Sequence, residues 1–233
     1  MTGWLARASI LLRFARAMLA YRLAPKRPFR ELLDDKGYLR RPMSFVQIGA
    51  HTGRENDWVN ELVKEFGWRG VAVEPVPALF EELKRTYASV DGMRVEQAAI
   101  GLEDGAAEFF LLEPTAKSRF ASQVGSLKAE HVVRHAFFLE GSAGATTSIK
   151  VPCLTFTSLL RKHGIDSPEA VFIDAEGFDF VILSQIDLRP ERLRVVLYEH
   201  LHLTRSERAR SRRLLEHAGF RIWTLFDSYL AIR

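Results

Sequence analysis

From Ser44 onward, short apolar runs rich in β-branched residues alternate with stretches whose apolar positions recur at helical spacing. Such alternation predicts parallel strands joined by crossover helices, because a parallel pair needs a long connection where an antiparallel pair needs only a turn. The strands fall at Ser44–Ile48, Gly70–Val73, Met93–Ala99, Ala106–Leu112, Ala170–Asp174, Arg194–Tyr198, Arg221–Leu225 and Tyr229–Ile232. Between them the helical spacing predicts Asp57–Phe66, with Asp57 as N-cap, then Ala78–Tyr87, Phe156–His163, a helix from near Phe178, and Ser206–Ala218. A short helical patch, Glu31–Asp35, precedes the first strand. The run Ala170–Asp174 should lie beside the first strand in a doubly wound sheet.

Two stretches break the pattern. Between Glu113 and Ser148 the periodicity weakens, although Leu127–Phe138 has helical spacing. A connection this long inside one domain reads as an insertion, 113–148, that forms a lid or a substrate wall. The other stretch is residues 1–40, where Leu5, Leu11, Leu12, Phe14 and Leu19 alternate with arginines. As a membrane span it fails, since Arg13 and Arg16 cost roughly 5–7 kcal/mol at the bilayer centre and the apolar residues return roughly 2–4 kcal/mol. The same arginines interrupt any signal-peptide core. What remains is a basic amphipathic helical arm ahead of one α/β domain over 41–233. Packing on that domain, pairing with another subunit and peripheral contact of residues 1–30 with an anionic membrane surface all stay open for it.

Charge sharpens this division. Of 33 basic residues seven precede the first acid, Glu31, and the 26 that follow face 29 acids, so the net charge of +4 belongs to the arm. A fold without clustered Lys and Arg argues against a nucleic-acid partner. The single cysteine, Cys153, allows no internal disulfide and sits in an apolar run that suits core packing. A cytoplasmic protein is expected, with attachment at the inner membrane surface as the variant the arm permits.

Candidate chemistry gathers at predicted strand ends, where open α/β sheets bind ligands. Gly49-Ala50-His51-Thr52-Gly53 follows the first strand, and its glycines allow close backbone approach. Glu74 ends the second strand about 20 residues further on, the spacing at which an acid accepts hydrogen bonds from ribose hydroxyls. Together they predict a nucleoside ligand. A GxxxG loop in place of GxGxxG favours S-adenosylmethionine over a nicotinamide dinucleotide, whose pyrophosphate needs the tighter glycine pattern. At the end of a central strand, Asp174 and Glu176 would hold the cofactor's ammonium, orient an acceptor or take its proton, unless they only cap the next helix. Tyr198-Glu199-His200-Leu201-His202 ends the following strand and makes His200 a further candidate base. Glu199, His200 and His202 with Asp174 are also compatible with a divalent metal, but no metal ligand is assigned.

In that order along the chain, Phe45–Gly53, Val73-Glu74-Pro75, Ala98–Gly101, Val151–Thr155, Ile173–Asp179 and Tyr198-Glu199-His200 resemble the FkbM family of methyltransferases. The resemblance implies a class I methyltransferase fold, Rossmann-like and doubly wound around a mostly parallel seven-stranded sheet, here with an N-terminal helical extension. It implies S-adenosylmethionine as cofactor and methylation, usually at oxygen, of acceptors such as sugars and polyketide-derived metabolites. The acceptor partner expected here is a small molecule, with a glycan or glycolipid as the larger variant. It places Gly49 and Gly53 at the methionine part, Glu74 at the ribose, Ala99 near the adenine, and Asp174 with Glu176 on the methyl-transfer side. Beside these, Gln47 and Ala50 are candidate cofactor contacts from their place at the first strand's end, and Asp174, Glu176 or His200 would take the acceptor's proton. Gln47 stands where many class I enzymes carry an acid, and His51 and Thr52 also depart from the pattern. The rival readings are a catalytically inactive binding module recruited by its arm and a nicotinamide-dependent oxidoreductase.

Overall fold

Along β1 (Ser44–Ile48), β2 (Arg69–Val73), β8 (Ala170–Ile173) and β9 (Val195–Glu199), nearly every side chain is buried. A strand with both faces covered must lie between two layers, and period-two alternation divides its residues between them. Val46, Ile48, Val71, Val73, Val171, Ile173, Val196 and Tyr198 face one core. Phe45, Ala72, Ala170, Phe172 and Val195 face the other. The computed structural model that shows this describes residues 28–54, 57–112, 125–133, 146–189 and 192–233.

These strands form a seven-stranded sheet in the order β10-β11-β9-β8-β1-β2-β3, with β3 at Met93–Glu96, β10 at Arg221–Thr224 and β11 at Ser228–Ile232. Every pairing from β9 across to β3 is parallel, and β11 alone runs antiparallel to its neighbours. The predicted adjacency of the first strand and Ala170–Asp174 is present as the β1–β8 pair. On one face lie α1 (Pro28–Asp35), α2 (Trp58–Phe66) and α3 (Pro77–Tyr87), which contribute Leu33, Val59, Leu62 and Leu83 to the core around Trp68. On the other lie α4 (Phe156–Lys162), α5 (Asp179–Leu183) and α6 (Arg205–His217), with Leu159, Ile182, Leu183 and Leu215. The termini of α2 follow their residues: Asp57 accepts from Val59 N at 2.9 Å, and Gly67 closes the helix in the left-handed region at φ 69°.

Two features depart from the expected pattern. Met93–Ala99 is not one strand; β3 ends at Glu96, and β4 (Ala99–Ile100) enters a second sheet. That sheet has the order β4-β7-β5-β6, with β5 at Gly105–Leu112, β6 at Gly125–Ser126 and β7 at Thr146–Leu154. β7 escaped the sequence reading because most of its outer half is polar and exposed, so the only apolar signal was Val151–Leu154. Cys153 is a buried residue of this strand. Residues 129–133 are helical, matching part of the stretch Leu127–Phe138. Residues 1–27 of the arm and most of the insertion lie outside the described residues. From the described part of 1–40, Phe29 and Leu33 pack into the domain core, and Tyr38 Oη donates to Arg233 O at 2.7 Å. Among the described residues no helix is long and apolar enough to cross a membrane.

Candidate active site

Register builds the site. Ile48 pairs with Val73 on one side and with Ile173 on the other, and Ile173 pairs with Tyr198. The residues one step beyond, Glu74, Gly49, Asp174 and Glu199, therefore stand in one row along the carboxyl edge of the sheet. Asp174 N donates to Ile48 O at 3.0 Å and Gly49 N to Val73 O at 3.0 Å, which carries the ladder past the last strand residue. All four line a cavity of about 460 Å³, within the range that small-molecule sites occupy.

Gly49 makes the row possible. Its φ is +76°, and a Cβ at this position would fall 1.8 Å from the backbone oxygen of Asp174. Only a residue without a side chain lets the β1 and β8 ends approach so closely. Gly53, also left-handed at φ +65°, serves another purpose. It does not line the cavity; a Cβ there would meet Leu83 and Tyr87 of α3, and its carbonyl accepts from Asn60 Nδ2.

Glu74 is only 5% exposed and closes the loop of β1 upon β2, with Oε2 accepting from His51 N and Oε1 from Val76 N, both at 2.9 Å. Burial raises its carboxyl to about 7 despite these bonds. Gln47 and Asp57 stand nearby in the lining, joined by Nε2 to Oδ1 at 3.1 Å, while Gln47 Oε1 and Asp57 Oδ2 are buried without partners among the described residues. Ala50 and Ala99 both line the cavity, Ala99 on an apolar wall with Val76, Leu79 and Phe109.

The loop from Asp174 to Phe178 is held from within and without. Asp179, fully buried, accepts from Ala175 N at 3.2 Å and from Gly177 N at 3.1 Å. Glu176 adopts φ 49°, uncommon for a residue with a Cβ, and the strain is held by contacts. Its carbonyl accepts from Ser126 Oγ at 2.9 Å, and the Gly177 carbonyl accepts from Lys128 Nζ at 2.7 Å. The second sheet thus clamps the loop. Phe178, not Asp174 or Glu176, is the N-terminal boundary residue of α5, and it makes no side-chain cap. Asp174 turns its side chain into the crevice, and no hydrogen bond to that carboxylate occurs among the described residues. Surrounding protein, then Glu176 and Asp227, push its carboxyl upward; burial and Asp227 do the same to Glu176.

His200 lies elsewhere. It is buried against Tyr229 with ring centroids 4.1 Å apart, does not line the cavity, and burial lowers its basicity. Sequence reasoning missed three contributors. Phe226 and Asp227 line the cavity from the β10–β11 turn, which reaches the crevice only because β11 is antiparallel to β9. His131 bonds Glu176 with Nε2 and Oε2 2.9 Å apart, from the helical stretch of the insertion, whose spacing gave no hint of where it docks. Only the topology brings these residues together, so no local signal marked them.

The arrangement is a crevice at the strand ends lined by Asp57, Glu74, Asp174, Glu176, Glu199 and Asp227. Such a lining repels phosphate and attracts cations. The fold is that of class I methyltransferases. The family model of the FkbM methyltransferase domain matches residues 47–222, and the chain belongs to that family. Membership makes S-adenosylmethionine the cofactor, and a sulfonium with an ammonium fits an acidic crevice holding unpaired acceptors. Among solved structures, the methyltransferase FkbM of Methylobacillus flagellatus KT is 12% identical with a TM-score of 0.52, covering 82% of this chain; the chain spans 44% of that protein's length. The fibrillarin of Aeropyrum pernix, solved with natively bound S-adenosyl-L-methionine, is 10% identical with a TM-score of 0.41 over 83% of this chain and 66% of its own. No curated protein matches the chain.

Proposed function

We propose that the protein transfers a methyl group to a hydroxyl oxygen of a small acceptor, of the sugar or glycan class. The observation that carries this is the row of Glu74, Gly49 and Asp174 along one crevice, two carboxylates flanking a point of open backbone. Gly49 and Ala50 would receive the methionine part of the cofactor, Glu74 the ribose and the wall at Ala99 the adenine. The cofactor supplies a methyl already activated by its positive sulfur. The protein's own work is positioning, worth on the order of 7–11 kcal/mol when alignment is good, and removal of one proton. Asp174 is suited to the proton, since its carboxylate opens into the crevice and the surrounding protein, with Glu176 and Asp227, raises it to about 8, so a proton once taken is held at neutral pH. Glu176 is already engaged by His131.

The test is methyl transfer from labelled S-adenosylmethionine to a panel of hydroxylated acceptors. Asp174→Asn should slow turnover by roughly 10²–10⁴-fold, the span of general base catalysis. Cofactor binding without transfer to any acceptor would replace this reading with the inactive binding module, and an unimpaired Asp174→Asn would remove Asp174 as the base.

A further inference from the structure

Behind Glu176, three separate segments bring nitrogen and oxygen donors to one point. His131 Nε2 lies 2.9 Å from Glu176 Oε2, and His202 Nε2 lies 3.5 Å from the same oxygen. His202 Nε2 is also 3.1 Å from Glu199 Oε1. One donor atom each from His131, Glu176 and His202 falls within 4.8 Å of the other two. Donors bound at 2.0–2.2 Å around a tetrahedral ion stand about 3.3–3.6 Å apart, so small side-chain adjustments would let these atoms share one ion.

We propose that His131, Glu176 and His202 form a binding site for a divalent transition-metal ion, with Glu199 as a fourth donor. Charge supports an ion over a closed hydrogen-bond network. Glu176 and Glu199 both approach one nitrogen of His202, which carries at most one proton, and Glu199 Oε2 is buried with no partner among the described residues. Asp174 and Asp227 line the same crevice and add two further acids beside these groups. The ammonium of Lys128 is committed to Gly177 O at 2.7 Å and to Glu207 at 3.7 Å.

Two imidazoles with carboxylates select zinc, manganese, iron, cobalt or nickel over magnesium and calcium, which favour oxygen alone. His131 is 5% exposed, and Ser126 holds the main chain of the left-handed Glu176, so two of the ligating residues are anchored in place. Glu176 and Glu199 also line the crevice, so an ion between them would border the space for the acceptor and could hold one of its oxygens. This last role rests on the methyl-transfer reading; ion binding does not.

The experiment uses the full chain, stripped with a chelator and titrated with Co²⁺ by visible absorption, then with Zn²⁺ in competition. One equivalent should bind with the intense visible bands of a four- or five-coordinate site. His202→Ala should weaken binding by more than roughly 100-fold, beyond the 10–100-fold that loss of an outer partner costs, and Glu199→Gln should weaken it less. Should His202→Ala fail to fold, Glu199→Gln and the wild-type spectrum still decide. Absence of stoichiometric uptake by the wild type, or equal affinity in folded His202→Ala, would overturn the site. Calorimetry with S-adenosylmethionine on the same samples separates the two readings, because a chain that takes Co²⁺ but not the cofactor refutes only the methyl-transfer proposal.

Discussion

The two ends of the crevice are built in opposite ways. At the Glu74 end, contacts come from a contiguous loop and two neighbouring strands, and main chain does much of the holding: His51 N and Val76 N grip Glu74, and Gly49 and Ala50 N both reach Val73 O. At the Glu176 end, side chains from 126–131, 174–179, 199–202 and the 225–227 turn converge. An end made from backbone is fixed by the fold itself and suits a cofactor shared by a whole family. An end made from scattered side chains changes with single substitutions and suits an acceptor that differs from one member to the next.

The sharpest way to break this contrast is Gly49→Ala. The methyl group would meet the Asp174 backbone oxygen at 1.8 Å in a left-handed conformation. The left-handed conformation costs about 1–2 kcal/mol and overpacking about 1–3 kcal/mol, so a loss of roughly 2–5 kcal/mol is expected by urea denaturation. A change near zero would mean that β1 and β8 do not meet closely here. Asp179→Ala probes the opposite end. It strips the acceptors from Gly177 N, which is buried, and from Ala175 N, which is only part-buried; a buried donor left unsatisfied costs about 1–3 kcal/mol and a part-buried one about 1 kcal/mol, so roughly 2–4 kcal/mol should be lost. Asp179→Asn, which keeps one oxygen, should lose about half of that.

Glu74→Ala acts on affinity. Removing a charged acceptor from ribose hydroxyls costs about 1.5–3 kcal/mol, so S-adenosylmethionine should bind roughly 10–100-fold more weakly by calorimetry. Glu74→Gln keeps an acceptor and should fall between. Equal affinity in all three proteins would take Glu74 out of the cofactor site.

The same contrast governs what the sequence revealed. The seven-stranded sheet was legible because each inner strand is a dense apolar run and each helix carries its own cap or stripe, as with Ser44–Ile48 and Asp57. Gly49, Glu74 and Asp174 were legible because each directly follows such a run, and parallel register does the rest. Gly53 has the same local appearance yet turns to pack on α3, since a glycine in a loop does not announce which neighbour requires it. His131 and Asp227 gave no signal, being single polar residues whose meaning depends on the path of β6 and β11. β7 hid because an antiparallel strand with a solvated face lacks the continuous apolar run that marked the inner strands.

The smallest expected effect is a pH dependence, and its sign follows from burial. Glu74 in the free protein keeps its proton up to about 7, whereas in the unfolded chain the same group loses it near 4.3. The folded state therefore binds more protons across that interval, and this group's contribution to stability falls as pH rises from about 4 toward 7. Cofactor binding runs the other way. An ionised Glu74 is the better acceptor for ribose hydroxyls and counters a cation, so affinity should rise by roughly tenfold between pH 6 and 8, the limit for one group titrating near 7. Binding should release a fraction of a proton near pH 7, read from calorimetry in two buffers of different ionisation heat. Glu74→Gln should flatten the profile and cut the release. If the variant keeps the full wild-type slope, the proton belongs to the Asp174–Glu176 end, and the backbone-built end binds its ligand without titrating.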